Sequence, residues 1–214
     1  MSTFGLSFDI LLSESVHIRE CWEGPWLASQ VLRKDYHLYA QEAQAAGISS
    51  VSPQSVRDGF RAAFKSINSA HPLYGKHSSP PLSPEEWWTS LIRECMIKAG
   101  AERSQIETGM NKLGPALLAR FESEKGYRNF PETIAVLEEL KRLGIKTSVV
   151  SNADPRILRT LEALHILPLL SHSPTLSWDV EVAKPSREIF QAACQACDEE
   201  MGEGVLMVGD ELKA

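Results

Sequence analysis

Three short segments in the last third of the chain carry side chains suited to phosphoryl chemistry. They are Ser151-Asn152, Lys184-Pro185 and Gly209-Asp210, and each follows or borders an apolar run. A hydroxyl with main-chain amides can bind phosphoryl oxygens, an ammonium can neutralise their charge, and a carboxylate can hold a divalent cation. Taken singly, each segment is also an ordinary turn or strand end. Their occurrence in this order predicts a phosphoryl-transfer site.

The best candidate for a nucleophile is Asp9, which ends the apolar run from Phe4 to Phe8. A carboxylate can attack a phosphoryl group to form an aspartyl-phosphate, which water then hydrolyses. This attack brings like charges together, so it needs the Lys184 ammonium, the Ser151 hydroxyl and a cation held by Asp210. An acid after an apolar run is also a normal strand terminus, and that alternative stays open.

The elements that must position these groups alternate between helix and strand. Helical spacing over 131–143 is followed by a β-branched run over 145–150 that leads into Ser151. A further helix is predicted from Asp154, as its N-cap, and another from near Ser186, before a strand over 205–208. Strands joined by helices indicate a parallel sheet, in which the functional loops gather at the carboxyl ends of the strands.

The first half of the chain favours helices. Ser52 begins a helix that runs to about residue 69, and Ser83 with Glu86 forms a capping box that opens a second, ending near Gly100. A third helix is predicted over 104–121, where internal Gly and Pro weaken its continuity.

Composition limits the classes of partner. The 214 residues are 43% hydrophobic, with a net charge of −6. An acidic surface argues against nucleic acid and anionic membranes as partners. The run from Phe4 to Leu12 is too short for a membrane span and has no positive start, so no signal segment is expected. Four cysteines favour a reducing compartment, the cytoplasm with the nucleus as the alternative.

A lone C-x-x-C, Cys194 to Cys197, invites a zinc or redox interpretation. Since no second Cys or His pair lies at ligand spacing, we expect structural thiols within a helix.

The set of Asp9, Ser151-Asn152, Lys184-Pro185 and Gly209-Asp210 resembles the four motifs of the haloacid dehalogenase-like (HAD) hydrolases, in the branch with a helical cap after the first motif. The resemblance is strong from about Tyr127 onward and weaker across 36–126. It implies an α/β fold with a Rossmann-like parallel sheet core over 1–13 and 127–214. An inserted α-helical cap domain would occupy 14–126, of which 14–35 is of uncertain origin.

The resemblance also implies roles, position by position. It implies Asp9 as nucleophile and metal ligand, the Leu11 backbone carbonyl as a second ligand and Asp210 as a third. It further implies Ser151 as the phosphoryl-binding hydroxyl, Asn152 as a supporting donor and Lys184 as the charge-balancing cation. The implied cofactor is Mg²⁺, which suits hard oxygen donors. The implied activity is that of a phosphatase acting on a small phosphorylated metabolite.

The chain also departs from the family pattern. Leu11 stands where the family carries a second acid, and its side chain has no proton to give to the leaving group. Residues 14–35 have no recognised counterpart, and a translated intron or a mispredicted exon is one interpretation. Because of Leu11 and the residues that follow it, we interpret the first motif as degenerate. The second acid of the fourth motif is missing, so we interpret the C-terminus as truncated.

The alternative function is a catalytically impaired relative that acts as a binding or regulatory module. A kinase or NTPase would need a glycine-rich phosphate cradle, and none is present in the sequence. The substrate's identity and the oligomeric state are not predicted.

Overall fold

The computed structural model describes the backbone of residues 8–13 and all of residues 36–208. The chain divides into two compact units, one comprising residues 34–122 and the other residues 1–33 with 123–214. We describe each unit by itself.

The unit of residues 34–122 is built from helices. They are α1 (Tyr36–Ala45), α2 (Pro53–Ala70), α3 (Pro84–Lys98) and α4 (Arg103–Arg120). Helix α2 begins after Ser52, as predicted. The capping box predicted before α3 is also present, because the Glu86 amide donates to Ser83 Oγ at 3.2 Å and the Ser83 amide donates to the Glu86 carboxylate at 2.8 Å. Helix α4 continues through Pro115.

The core of this unit is aromatic and aliphatic. Trp87 and Phe60 are among its largest fully buried side chains. The Trp87 indole donates to the main-chain carbonyl of His71 at 2.8 Å, which satisfies its only polar atom. Helices α2 and α3 approach closely at Gly59, where an added Cβ would lie 2.7 Å from the Cys95 carbonyl oxygen.

The second unit is of the α/β class, as predicted. Its elements are β1 (Phe8–Ser13), α5 (Thr133–Arg142), β2 (Lys146–Ser151), α6 (Ile157–Ala163), β3 (Thr175–Leu176), α7 (Ser177–Val180), α8 (Arg187–Ala196) and β4 (Val205–Val208). The described sheet has the strand order β3-β2-β1-β4. Strands β2 and β3 are parallel, and β4 points the same way because β2 and β4 are both antiparallel to β1.

Strand β1 is central, but its direction differs from the expected one. It pairs antiparallel with both β2 and β4, whereas a parallel strand ending at Asp9 was expected. An apolar run predicts a strand without giving its direction, which only the pairing fixes. Asp9 is therefore near the start of β1, and the residues after it run into the sheet.

Helix α6 begins later than predicted. Asp154 was expected to cap a helix starting at Pro155, but α6 starts at Ile157. The Asp154 carboxylate does accept from the amide of Arg156, two residues on, at 3.0 Å, as a capping side chain does. The turn that follows is closed by i→i+3 bonds, from the Ile157 amide to the Asp154 carbonyl and from the Leu158 amide to the Pro155 carbonyl, each at 3.2 Å, so the α-helix begins only after this turn.

Cys194 and Cys197 lie at the end of α8 and are buried free thiols. They pack with Val150, Ile189 and Ala193 in an apolar cluster against β2. Burial raises the pKa of both thiols, which favours the uncharged form. In the described ranges, no helix has both the length and the apolar content needed to cross a bilayer.

Candidate functional site

The carboxyl ends of three strands meet at one edge of the sheet. Ser151 ends β2, Leu176 ends β3 beside it, and Val208 is the last residue of β4. In the register of β1, Asp9 is opposite Val150, the residue before Ser151. Directly paired Cα atoms of antiparallel strands are about 5 Å apart. The main chain of Asp9 thus lies beside the residue preceding the predicted phosphoryl-binding serine.

Leu11 lies inside the sheet and not at this edge. It is opposite Ser148 on one side and Met207 on the other. The carbonyl of a residue paired on both sides of an antiparallel ladder is used by the ladder itself. The predicted role of the Leu11 carbonyl as a metal ligand therefore does not fit this register.

Lys184 reaches the end of β2 from a distant part of the chain. Its ammonium donates a hydrogen bond to the main-chain carbonyl of Val150 at 3.1 Å. Since Val150 immediately precedes Ser151, the cation is held beside the fully buried serine. The structure thus brings the Lys184 ammonium to the strand end that carries Ser151.

Asn152 joins the same two segments through its side chain. Its Nδ2 donates to the Lys184 carbonyl oxygen at 3.0 Å. Its Oδ1 accepts from the Lys184 amide at 2.6 Å. Both ends of the carboxamide are therefore bonded to the main chain of one residue.

The turn after Asn152 is held by further contacts. The carbonyl of Ala153 accepts from the amide of Trp178 at 3.3 Å and from the Ser177 hydroxyl at 3.4 Å. The Asp154 carboxylate accepts from the Arg156 guanidinium at 2.9 and 3.1 Å. The Asp154 side chain is buried and the Arg156 side chain is only 11% exposed, so the pair forms a fixed anchor for the turn.

Tyr127 lies close to this buried ion pair. Its side chain is itself buried. Burial raises the pKa of its phenol well above the usual value, with a smaller opposing effect of Arg156 and a smaller reinforcing effect of Asp154. The Tyr127 hydroxyl is therefore held in its neutral form.

Sequence reasoning missed Arg156, Tyr127 and the Val150 carbonyl. Arg156 follows Asp154 by two residues, a spacing that is not a helical ion-pair signal. A main-chain acceptor has no side-chain signature. The contact with Lys184 crosses 34 residues, so a local pattern does not reveal it.

The described residues do not by themselves assemble a metal centre. Among residues 36–208, whose side chains the structure describes, no group of three or more His, Cys, Asp or Glu is placed to hold an ion. Asp210, a predicted ligand, lies outside the described residues. The carboxylates of Asp9 and Asp210 have the right chemistry for Mg²⁺, whereas the Leu11 carbonyl lies within the ladder.

The sequence alone does not show which side chains of the helical unit would face a pocket and which would face solvent; four candidates are Arg57, Arg61, Lys65 and Trp87. Trp87 is fully buried and packs against Phe64 and Tyr74. The other three are exposed and lie one turn apart along α2, namely Arg57, Arg61 and Lys65. Trp87 is therefore a core residue.

Comparison with known proteins identifies similar chains. A family model described as "Hydrolase: haloacid dehalogenase-like hydrolase" matches residues 19–213. The matched range includes Ser151, Asn152, Lys184 and Asp210, and it begins after Asp9. The role of Asp9 therefore rests on its own position and chemistry.

Two curated relatives share the description "Haloacid dehalogenase-like hydrolase domain-containing protein 3". The Danio rerio protein is 31% identical over 82% of this chain and 70% of its own length. The Homo sapiens protein is 26% identical over 72% of this chain and 59% of its own length. A solved structure described as "Crystal Structure analysis of a Dehalogenase" is 16% identical, with a TM-score of 0.54 over 78% of this chain and 67% of that chain, which supports the fold alone.

Proposed function

This chain belongs to the haloacid dehalogenase-like hydrolases, and on that basis we propose that it is a magnesium-dependent phosphatase of a small phosphorylated metabolite. The observation that carries the proposal is the attachment of Lys184 to the end of β2 next to Ser151. A fixed cation beside a hydroxyl is the arrangement that a phosphoryl group needs.

In the proposed first step, a carboxylate oxygen of Asp9 attacks phosphorus. The bond between phosphorus and the leaving oxygen breaks, and this oxygen departs with the electron pair as an alkoxide, which then takes a proton from water. The product is an acyl phosphate on Asp9, which water hydrolyses to orthophosphate and free carboxylate. Lys184 offsets the negative charge of the transferring group, and Ser151 donates to one of its oxygens.

The metal would be held by the carboxylates of Asp9 and Asp210. When bound, Mg²⁺ supplies further charge neutralisation between the nucleophile and the phosphoryl oxygens. Mg²⁺ binding can be measured without an activity assay, because a ligand that binds the folded chain raises its melting temperature. We expect a magnesium-dependent rise in melting temperature that is smaller in the Asp210→Asn variant.

The leaving group receives no proton from Leu11, since a leucine side chain has none to give. The alcohol must then take its proton from water. We therefore expect aryl phosphates, whose leaving groups are weak bases, to react much faster than alkyl phosphates.

We extend the proposal to the remaining features of the chain. The helical unit would act as a cap that selects the substrate. The net charge of −6 favours a small phosphorylated molecule over nucleic acid or an anionic membrane, and the cytoplasm is the proposed compartment.

The test is hydrolysis of p-nitrophenyl phosphate with added Mg²⁺, compared with the same reaction in excess chelator. Release of orthophosphate that requires the metal supports the proposal. No release, with orthophosphate still raising the melting temperature, would instead support the second candidate, a non-catalytic phosphate-binding relative. The observation that favours this candidate is Leu11, which occupies a ladder position and carries no acid.

A further inference from the structure

The Asn152 carboxamide forms one donated and one accepted hydrogen bond with the Lys184 main chain, as paired residues of neighbouring strands do. Nδ2 donates to the Lys184 carbonyl at 3.0 Å and Oδ1 accepts from the Lys184 amide at 2.6 Å. The orientation of the carboxamide is fixed, because the flipped amide would place oxygen against oxygen and N–H against N–H. Aspartate at this position would lack the donor.

Lys184 is thereby fixed to the end of β2 at two points. Its main chain is held by Asn152, and its ammonium donates to Val150 at 3.1 Å. Asn152 and Val150 flank Ser151 on either side. The three bonds thus set where the cation lies relative to the serine.

We propose that Asn152 is a positioning residue that acts through Lys184, in place of the direct phosphoryl donor that the resemblance implies. This inference rests on the proposed phosphatase function. Its physical basis is that electrostatic stabilisation depends on preorganisation, since a displaced cation must be reordered during the reaction. We call the two hydrogen bonds between the Asn152 carboxamide and the Lys184 main chain the clamp. Loss of the clamp removes these two bonds and keeps the Lys184 charge.

The test is a double-mutant cycle of Asn152→Ala and Lys184→Met, with kcat/KM for p-nitrophenyl phosphate and the Kd for orthophosphate as readouts. Asn152→Ala alone should lower kcat/KM by about tenfold to a hundredfold. In the Lys184→Met background the same change should cost less than about threefold, because the group on which it acts is gone. Equal losses in both backgrounds would overturn the inference and favour direct phosphoryl binding or general structural damage.

Asn129→Ala provides a matched control. Asn129 lies in the same unit, and its Nδ2 donates at 2.8 Å to the main-chain carbonyl of Leu164, the residue that follows α6. Asn129→Ala should change kcat/KM and the Kd for orthophosphate by the same factor in the wild-type and the Lys184→Met backgrounds. A dependence on Lys184 as large as that of Asn152→Ala would contradict a specific role for Asn152.

Hydrogen exchange tests the clamp independently of turnover. The exchange rate of the Lys184 amide should rise in Asn152→Ala and stay unchanged in Asn129→Ala, because only Asn152→Ala removes the acceptor of this amide. Unchanged exchange in Asn152→Ala would overturn the inference. A wild-type protein that neither hydrolyses the ester nor binds orthophosphate, while the exchange result holds, would overturn the proposed function and the catalytic part of the inference with it.

Discussion

The ammonium of Lys184 donates a hydrogen bond to the main-chain carbonyl of Val150 across 3.1 Å. This contact joins a loop before α8 to the end of β2, and it places a positive charge beside Ser151. The acceptor is a neutral carbonyl, so this bond orients the ammonium without cancelling its charge. The candidate site depends on this relationship more than on any other described contact.

Replacing Lys184 by Met should remove the charge and keep most of the apolar stem. We expect kcat/KM for p-nitrophenyl phosphate to fall by about a hundredfold or more, because the charge of the transferring group is no longer offset. Lys141→Met is the matched control, since the Lys141 ammonium also donates to a main-chain carbonyl, that of Pro168, at 3.0 Å. Equal losses in both variants would contradict the assigned role.

Replacing Arg156 by Met should leave the buried Asp154 carboxylate without its guanidinium partner. Breaking a buried ion pair in this way destabilises a protein by about 3–5 kcal/mol. Urea unfolding measures this loss. Arg142→Met provides the control, because Arg142 and Glu139 form a similar two-bond pair on the surface. Similar losses of unfolding free energy in the two variants would contradict the prediction that the buried Asp154 pair stabilises the fold more than the exposed Glu139 pair does.

The pH dependence of stability should report on Tyr127. Because burial raises the pKa of its phenol, the unfolded chain loses this proton at lower pH than the folded chain. The stabilisation is therefore complete below the ordinary pKa of about 10 and is lost as pH rises above it. Relative to Tyr127→Phe, the wild type should lose about 1 kcal/mol of unfolding free energy between pH 10 and pH 11. A difference between the two proteins that stays constant from pH 8 to pH 11 would contradict this expectation.

Two helix glycines should respond oppositely to alanine. At Gly59 an added Cβ would meet main-chain atoms of α3 and of the residue after it, Ala99, at 2.7 and 2.8 Å, so the helices must separate. We expect Gly59→Ala to destabilise the helical unit by about 1–3 kcal/mol. At Gly114 the nearest atom is 3.7 Å away, so helix propensity should dominate and Gly114→Ala should stabilise by up to about 1 kcal/mol. Urea midpoints test the pair, and a destabilised Gly114→Ala with a neutral Gly59→Ala would reverse the assignment.

Local signals in the sequence were sufficient for many element boundaries. Ser52 and Ser83 precede helices because their hydroxyls accept from amides of the first turn, and those bonds depend only on neighbouring residues. The strand over 205–208 was also predicted with the bounds that the structure has. The start of α6 was not, because the turn after Asp154 is closed by i→i+3 bonds before the α-helix begins.

The relationships that depend on distant residues could not be predicted in this way. The direction of β1 follows from its pairing with β2 and β4, which the apolar run before Asp9 does not encode. The bonds from Lys184 to Val150 and from Asn152 to Lys184 span more than thirty residues. The resemblance placed Asn152 and Lys184 in one site, but the contact between them is a property of the fold.

The central claim is that Asp9 carries the phosphoryl group during turnover, and phosphopeptide mapping tests it most directly. The wild-type protein is mixed with p-nitrophenyl phosphate and Mg²⁺, quenched in acid and digested. We predict an acid-stable, hydroxylamine-sensitive phosphate on the peptide that contains Asp9, and its loss together with turnover in Asp9→Asn. Undiminished turnover in Asp9→Asn, or phosphate found on another residue, would contradict the account.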